Sequence, residues 1–185
     1  MKSGLLIVIT GLPGSGKTTA ASYIDKSGYP VVYMGRITKL LLEKEKLKIN
    51  EDNEKYVRGA LRKKYGKEIY AEVVSPEIKE YLKEGRNVFL EGLRSPDELN
   101  LLKKHFKYIK IIYIDTKKKI RYQRVLKRKK VPLTTDQIRK RDEEELKILG
   151  LNKIIKQTDY VIKNDTTQNQ LFSEIKNIIK IIERI

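Results

Sequence analysis

The segment that most constrains this chain is a glycine-rich turn between an apolar run and a helical stretch. Residues 11–18 read GLPGSGKT and match the pattern G-x-x-x-x-G-K-[ST] at every required position. The preceding residues, 5–10, form an almost wholly apolar run, as expected for a strand that is buried on both faces. Residues 17–26 have helical character, and Gly28 follows where a helix-ending glycine belongs. This strand, loop and helix predict a phosphate-binding loop (P-loop) on a parallel sheet.

Each residue type in this loop has a chemical reason to be there. Glycines adopt positive φ and let backbone amides approach a phosphate closely. Lys17 is expected to reach the β- and γ-phosphates of a nucleotide, and the Thr18 hydroxyl to bind Mg²⁺. The predicted cofactors are therefore a nucleoside triphosphate and Mg²⁺. ATP is favoured over GTP, because the sequence lacks the Asn-Lys-x-Asp segment common in GTPases. The predicted nucleotide-binding residues here are Gly11, Leu12, Pro13, Gly14, Ser15, Gly16, Lys17, Thr18 and Thr19.

Short β-rich runs alternate with longer helical patterns, which predicts an α/β fold in which helices cover a parallel sheet. The 185 residues suit one domain. The predicted strands are residues 5–10, 30–33, 87–91, 109–115 and 160–162. The predicted helices are 17–26, 37–48, 53–65, 67–84, a helix opening at 95, 117–129, 134–149 and 167–183.

Local signals refine two of these helices. The helix over 67–84 is expected to be interrupted at Ser75, which can act as a cap, with Pro76 in the first helical position. Thr134 and Gln137 have the spacing of a capping box, so they predict the start of a helix. Gly150 is expected to close that helix.

Several segments, taken in chain order, are similar to nucleoside monophosphate kinases. They are Gly35 after the second strand, Leu90-Glu91-Gly92-Leu93-Arg94 after the third, Arg121-Tyr122-Gln123-Arg124 with Arg128 beyond, and Tyr160-Val161-Ile162-Lys163-Asn164. In this order they resemble the adenylate-kinase-related branch, especially its small archaeal members, and also dephospho-coenzyme A kinases. The resemblance implies a three-layer α/β/α P-loop fold with five parallel strands, an acceptor-binding segment near 36–75 and a LID near 121–141. It also implies transfer of the γ-phosphate of ATP to a small acceptor, foremost a nucleoside monophosphate.

Two residues after the third strand are candidates for binding charged ligands. Glu91 ends the strand and is expected to hold Mg²⁺ directly or through water, with a structural ion pair as the alternative. Gly92 and Arg94 are expected to bind the acceptor, and the Arg94 guanidinium can bind a phosphate with two hydrogen bonds. The alternative for Arg94 is a solvated arginine in a loop. Residues that follow parallel strands line one crevice, so both should face the P-loop.

A basic helix supplies further candidates. Residues 117–130 contain nine lysines and arginines and no acid, and Arg121, Arg124 and Arg128 share one helical face. Together with Lys17 they are predicted to stabilise the charge of a transferring phosphoryl group. A solvated or RNA-contacting face is the alternative. Arg141 is expected either to reach phosphate or to pair with Glu145 one turn along the same helix.

The residues after the second strand depart from the family pattern. Gly35, Arg36 and Lys39 are the expected acceptor-binding residues, but the family usually has an acid in place of Arg36 and an arginine in place of Lys39. A lysine neutralises phosphate without the two-pronged geometry of arginine, so the identity of the acceptor stays open. Asn164 is expected to contact the ATP base or to act as a turn residue beside Asp165.

Composition limits the partners without choosing one. A net charge of +17 predicts anionic partners, although lysine and glutamate enrichment is also typical of heat-adapted proteins. The lack of cysteine excludes disulfides and thiol chemistry. No signal peptide or membrane span is expected, so a cytoplasmic location is predicted. Dephospho-coenzyme A, a nucleoside, an RNA 5′ end, or a role as a nucleotide-dependent nucleic-acid-binding switch remain alternatives, and the oligomeric state is open.

Overall fold

A computed structural model describes residues 4–128 and 133–184. Within them a five-stranded, wholly parallel sheet runs in the order β2-β3-β1-β4-β5. The predicted α/β fold with a five-stranded parallel sheet is confirmed, and every strand end lies within one residue of its prediction. The strands are β1 (Leu6–Thr10), β2 (Val31–Tyr33), β3 (Val88–Glu91), β4 (Ile109–Asp115) and β5 (Tyr160–Lys163).

Helices cover both faces of the sheet and bury two apolar cores against it. They are α1 (Lys17–Lys26), α2 (Arg36–Lys44), α3 (Glu51–Tyr65), α4 (Ile69–Lys83), α5 (Pro96–His105), α6 (Lys118–Leu126), α7 (Thr135–Glu143), α8 (Leu151–Ile155) and α9 (Gln168–Ile182). One core packs α4, α5 and α8 on one face of the sheet, and the other packs α1 and α9 on the opposite face. The molecule is therefore built in three layers.

The central strand fixes where the functional residues meet. All five residues of β1 are buried, and the strand pairs with β3 on one side and β4 on the other. Ile9 lies opposite Glu91, and Thr10 lies opposite Tyr113. The loops that leave the carboxyl ends of these three strands therefore lie side by side at one edge of the sheet.

The predicted interruption of α4 is wrong. The helix runs without a break from Ile69 to Lys83 with Pro76 inside it, and the Ser75 hydroxyl donates to the Ala71 carbonyl (2.7 Å) instead of capping. Proline in a helix interior costs about 3 kcal/mol. The buried apolar face of α4, which includes Val74 and Ile78, continues across the proline and holds the helix together by packing.

The region after α6 matches the prediction in part. The capping box of Thr134 and Gln137 is present and starts α7. The predicted single helix 134–149 is instead α7 followed by a π-helical turn, Glu144–Ile148. Gly150, in the left-handed region at φ 82°, ends this turn, and the short helix α8 beyond it was not predicted. Lys129 and Lys130, at the end of the predicted basic run, lie outside the described residues.

Candidate active site

The P-loop passes from β1 into α1 through two glycines that no other residue could replace without strain. Gly14 has a φ of 81° and Gly16 a φ of 103°, both in the left-handed region. A Cβ on Gly14 would lie 2.5 Å from the Arg121 carbonyl oxygen, and a Cβ on Gly16 would lie 2.3 Å from Asn164 Nδ2. The loop is therefore held in close backbone contact with the elements behind it.

Three donors bind P-loop carbonyls from outside. Asn164 Nδ2 (2.7 Å) and Thr116 Oγ1 (3.0 Å) both donate to the Ser15 carbonyl, and Arg121 Nη1 donates to the Pro13 carbonyl (3.0 Å). In a planar trans peptide the carbonyl and the next N–H point in opposite directions. Holding these two carbonyls outward therefore turns the following amides towards the inside of the loop, where a phosphate would lie.

Lys17 and Thr18 begin α1 at the mouth of this loop. Lys17 Nζ donates to the Leu12 carbonyl (3.4 Å), and Thr18 Oγ1 donates to Glu91 Oε1 (3.2 Å). Burial lowers the pKa of the Lys17 ammonium to about 8, although Glu145 and Glu91 act in the opposite direction. The hydroxyl and the carboxylate are hard oxygen donors of the kind Mg²⁺ binds together with phosphates and water, so this pair fits the predicted metal site.

A small cavity of about 280 Å³ opens beside the P-loop. Arg124 of α6 and Arg128, two residues beyond α6, line it, as does Asn164, which directly follows β5. Arg124 Nη2 donates to the Thr166 carbonyl (3.4 Å), while its Nη1 is buried without a hydrogen bond to the described residues. Both arginines thus lie on the nucleotide side. Asn164 also lines this side, but its amide is already used to hold the P-loop.

The predicted common face is wrong for Arg121, whose side chain lies apart from those of Arg124 and Arg128. Its side chain is buried, and its two terminal nitrogens bind the carboxylate of Asp142 in α7 at 3.0 and 2.8 Å. One of these nitrogens also binds the Pro13 carbonyl. With these partners Arg121 ties α6 and α7 to the back of the P-loop, and it lines neither the small cavity nor the larger cleft.

A larger cleft of about 800 Å³ continues from the small cavity. Both are lined by Lys17, Thr18, Thr19 and Arg128. The structure brings all the predicted acceptor-binding residues to this cleft: Gly35, Arg36, Lys39, Gly92, Arg94 and Arg141. These residues come from the ends of β2 and β3 and from α2 and α7, which the sequence separates by up to about a hundred positions.

The side chains of Arg36 and Lys39 are both exposed, but they differ in their partners. Arg36 Nη2 pairs with Glu77 Oε2 at 2.6 Å, so its charge is largely matched on the surface. Lys39 makes no ion pair within the described parts of the chain. It therefore remains available to an anionic ligand, whereas Arg36 would have to leave Glu77.

Four arginines of the cleft form a network with four glutamates. Arg58 binds Glu51 (2.7 Å) and Glu54 (3.0 Å), Arg62 binds Glu98 (3.2 Å), and Arg94 and Arg141 share Glu145. The sequence prediction of Arg141 pairing with Glu145 is confirmed at 3.3 Å, and Arg141 also binds Glu51 at 2.5 Å. The network joins α3, the loop after β3, and α7 across the cleft.

Arg58 and Arg62 are cleft residues that sequence reasoning missed. They lie one turn apart on α3 and both line the cleft. The signal was their i, i+4 spacing with Glu54 one turn before Arg58, which marks a charged helical face. Arg62 also lies over the ring of Tyr70 (4.9 Å), whose hydroxyl bonds the Thr38 hydroxyl (2.7 Å), so this part of the wall is aromatic and polar.

Arg94 is a largely buried cation of the cleft, with a side chain that is 17% exposed. Burial alone would lower its pKa, but Glu145, Glu91 and Glu98 outweigh burial and raise the pKa above its usual value. Its backbone N–H donates to Glu98 Oε2 (2.8 Å), which belongs to the capping box that starts α5. The guanidinium is therefore permanently charged and is carried by a loop whose geometry a helix cap fixes.

Comparison with known sequences identifies the family. Residues 7–148 match a family model described as an AAA domain. A UPF0200 protein of Pyrococcus abyssi is 34% identical over 180 residues, covering 95% of this chain and 96% of the relative. A UPF0200 protein of Methanococcus vannielii is 33% identical and covers 95% of each chain. The chain belongs to the UPF0200 family.

Solved structures show the same fold at low sequence identity. A shikimate kinase from Bacteroides thetaiotaomicron superposes with a TM-score of 0.61 at 16% identity, covering 97% of this chain and 98% of that one. A dephospho-CoA kinase from Campylobacter jejuni gives a TM-score of 0.57 at 16% identity over 96% of each chain. This UPF0200 member therefore has a P-loop kinase-like fold. Within its described residues, every helix is too short or too polar to cross a membrane.

Proposed function

We propose that this UPF0200 protein is an ATP- and Mg²⁺-dependent phosphotransferase that moves the γ-phosphate to a small phosphate-bearing acceptor, foremost a nucleoside monophosphate. The observation that carries the proposal is the continuity of the two cavities through Lys17, Thr18, Thr19 and Arg128. An acceptor in the larger cleft would meet the terminal phosphate of ATP at the P-loop lysine. Kinases among the proteins of the same fold support this reaction class.

On the nucleotide side, the P-loop amides and Lys17 bind the β- and γ-phosphates in the proposed complex. Thr18 and Glu91 would hold Mg²⁺, which when bound neutralises charge on the phosphate oxygens. Arg128 lines both cavities, and Arg124 lines the nucleotide cavity, so both are placed to stabilise the charge of the transferring group. The proposed role of Arg121 is to position the P-loop and not to contact phosphate.

The proposed step is a direct in-line transfer. An oxygen of the acceptor phosphate forms a bond to the γ-phosphorus while the bond from that phosphorus to the β–γ bridging oxygen breaks, and ADP leaves. The chain's contribution is to hold the two reactants in line and to surround the transferring group with fixed cations. Closing of the proposed LID, residues 121–141, over the proposed acceptor segment, residues 36–75, would exclude water and suppress ATP hydrolysis.

The carboxylates of the cleft favour a phosphate acceptor over a hydroxyl. Among the described lining residues the acids are Glu54, Glu91 and Glu98. Glu54 is bound to Arg58, Glu91 accepts from the Thr18 hydroxyl, and Glu98 is bound to Arg62 and to a helix cap. Only Glu91 is without a cationic partner among these three, and in the proposed complex it holds Mg²⁺ and is not available as a base for a hydroxyl. A phosphate acceptor needs no such base, because its oxygen is already ionised near neutral pH.

A screen for phosphoryl transfer tests the proposal. ATP labelled at the γ-phosphate is incubated with Mg²⁺ and, in separate reactions, each nucleoside monophosphate, dephospho-coenzyme A, a nucleoside and an RNA with a 5′-hydroxyl. Lys17→Ala serves as the control that removes the P-loop cation. Transfer to a monophosphate that is lost in Lys17→Ala is the expected result. Transfer only to a hydroxyl, or ATP binding without any transfer, would contradict the proposal, and the second result would favour a nucleotide-dependent regulatory protein.

A further inference from the structure

A buried glutamate lies behind the cleft at the point where the two proposed substrates would meet. Glu145 is only 2% exposed and is not among the residues that line the cleft. It belongs to the π-helical turn after α7, in which the Leu149 N–H donates to the Glu144 carbonyl five residues earlier (2.8 Å). Such turns are rare, and they occur frequently at functional sites because they redirect a side chain within a helix.

The carboxylate of Glu145 joins two arginines that come from different parts of the chain. Its Oε1 accepts from Arg141 Nε (3.3 Å) and lies 3.5 Å from Arg94 Nε. Arg141 belongs to α7, and Arg94 belongs to the loop between β3 and α5. One oxygen thus holds a guanidinium of the proposed LID beside a guanidinium of the proposed acceptor site.

This arrangement is not the one that would best stabilise the fold alone. Glu145 Oε2 and Arg94 Nε are buried and make no hydrogen bond within the described residues. A buried charged group with an unsatisfied polar atom costs about 1–3 kcal/mol or more. Burial would raise the pKa of Glu145, but Arg94, Arg141 and Lys17 outweigh it and lower the pKa, so the group stays ionised. Two buried polar atoms thus lack hydrogen bonds within the described residues at the place where the carboxylate fixes two cations at the cleft.

We propose that Glu145 is a positioning residue that holds the Arg94 and Arg141 guanidiniums side by side, so that together they form one subsite for the anionic group of the acceptor. The subsite would lie at the border of the two cavities, near Lys17, which lines both. Glu145 does not itself touch the ligand. Its negative charge holds the two guanidiniums together before the acceptor binds. The free-energy cost of bringing two positive charges together is therefore not part of the binding step. The role of Glu145 in turnover rests on the proposed function, whereas its role in anion binding does not.

Binding of inorganic phosphate tests the subsite without requiring turnover. The protein is first saturated with a non-hydrolysable ATP analogue and Mg²⁺, so that the P-loop is filled, and phosphate is then titrated by calorimetry. We expect Glu145→Gln to weaken phosphate binding about tenfold, a loss of ~1.4 kcal/mol, while affinity for the ATP analogue changes less than about twofold. Unchanged phosphate affinity in folded Glu145→Gln would overturn the inference, as would wild-type protein that binds no phosphate under these conditions.

A double-mutant cycle separates positioning from a general effect on the fold. Arg94→Gln should abolish most phosphate binding, and adding Glu145→Gln in that background should cost less than about twofold, because the arginine to be positioned is gone. Equal losses in both backgrounds would mean that Glu145 acts through overall stability, and the inference would fail. Glu51→Gln is the comparison variant, since it removes a carboxylate from Arg141 and from Arg58 but leaves the pair of Arg94 with Glu145 intact. Its effect should be smaller than that of Glu145→Gln.

Glu145→Asp keeps the test decisive if the glutamine variant does not fold. The aspartate retains the buried charge, but its shorter side chain cannot reach Nε of both arginines at once. Phosphate affinity should therefore fall about fivefold with a melting temperature close to that of the wild type. Wild-type affinity in this variant would overturn the inference. A wild-type protein that binds phosphate and yet transfers none from ATP would sink the proposed function while leaving this inference standing.

Discussion

The two sides of the cleft are built in different ways. On the nucleotide side, backbone amides of the consecutive residues 11–19 would bind phosphate, and side chains such as Arg124, Arg128 and Asn164 complete the cavity from elsewhere. The acceptor side is made by side chains from α2, α3, α7 and two loops, and most of its cations are already paired with glutamates. Hydrogen bonds to the Ser15 and Pro13 carbonyls orient the loop of the first side before any ligand binds, whereas the second side must exchange ion pairs for ligand contacts. Substitutions on the two sides should therefore fail in different ways.

The largest effect is expected from Lys17→Ala on the nucleotide side. Removing the P-loop cation takes away charge stabilisation of the transferring group, so the rate of transfer should fall about 10³-fold or more. The fold should hold, since within residues 4–128 and 133–184 Lys17 makes a single weak hydrogen bond, to the Leu12 carbonyl at 3.4 Å. Initial rates with labelled ATP measure this loss, and a rate within tenfold of the wild type would show that the P-loop is not the site of transfer.

Gly14→Ala should come next and should damage nucleotide binding and stability together. The new Cβ would need φ 81° and would lie 2.5 Å from the Arg121 carbonyl, so the loop or α6 must move. We expect ATP affinity to fall about 100-fold and the unfolding free energy to fall by ~2 kcal/mol or more.

Gly59→Ala is the matched control for that substitution. Gly59 lies within α3, and a Cβ there would meet nothing within 4 Å. Because alanine is a better helix former than glycine, the unfolding free energy should rise by about 0.5–1 kcal/mol. Calorimetric melting of both variants makes the comparison, and equal responses would contradict the account of a closely packed P-loop.

Asp142→Asn tests whether Arg121 is a structural anchor. The substitution removes the charge from a buried pair whose nitrogens and oxygens lie 2.8 and 3.0 Å apart. The unfolding free energy should fall by about 2–3 kcal/mol, measured by denaturant unfolding, while the rate at saturating ATP stays within about threefold at temperatures where the variant is folded. A large loss of rate with unchanged stability would instead give Arg121 the catalytic role that its sequence position first indicated.

Arg94→Lys should have a smaller effect on transfer than Lys17→Ala and should confine it to the acceptor side. Lysine keeps the charge but loses the two-pronged geometry, so kcat/KM for the acceptor should fall about 10- to 100-fold with little change in the KM for ATP. Arg36→Lys is the control, because Arg36 is exposed and already paired with Glu77. An equal fall in both variants would remove the distinction between the enclosed and the exposed arginine.

The nucleotide side could be predicted from the sequence more completely than the acceptor side. The P-loop is contiguous, so its pattern and the apolar strand before it predicted both its structure and its position on the sheet. The strands were predicted to within one residue, because buried parallel strands are short apolar runs between clear turns. The P-loop pattern also predicted positive φ for its glycines, and Gly14 and Gly16 have it.

The parts that could not be predicted depend on contacts between distant residues. Arg121, Arg124 and Arg128 have equivalent sequence spacing, but only Arg121 meets Asp142, a residue on another helix, and that contact turns it away from the cleft. The interruption of α4 was expected from Pro76, but packing of the apolar face outweighs the local cost of proline. Arg58 and Arg62 have the pattern of an ordinary charged helical face, and only the fold places that face on the cleft.

The position of the transferred label in the product distinguishes transfer to a phosphate from transfer to a hydroxyl. Wild-type protein, Mg²⁺ and γ-labelled ATP are incubated with a nucleoside monophosphate and, separately, with the same nucleoside lacking its phosphate, and the products are identified by phosphorus NMR and mass spectrometry. We expect label in a new phosphoanhydride, giving the nucleoside diphosphate, and little label on the matched nucleoside. Label only in inorganic phosphate, or in a phosphate ester on a hydroxyl, would contradict it.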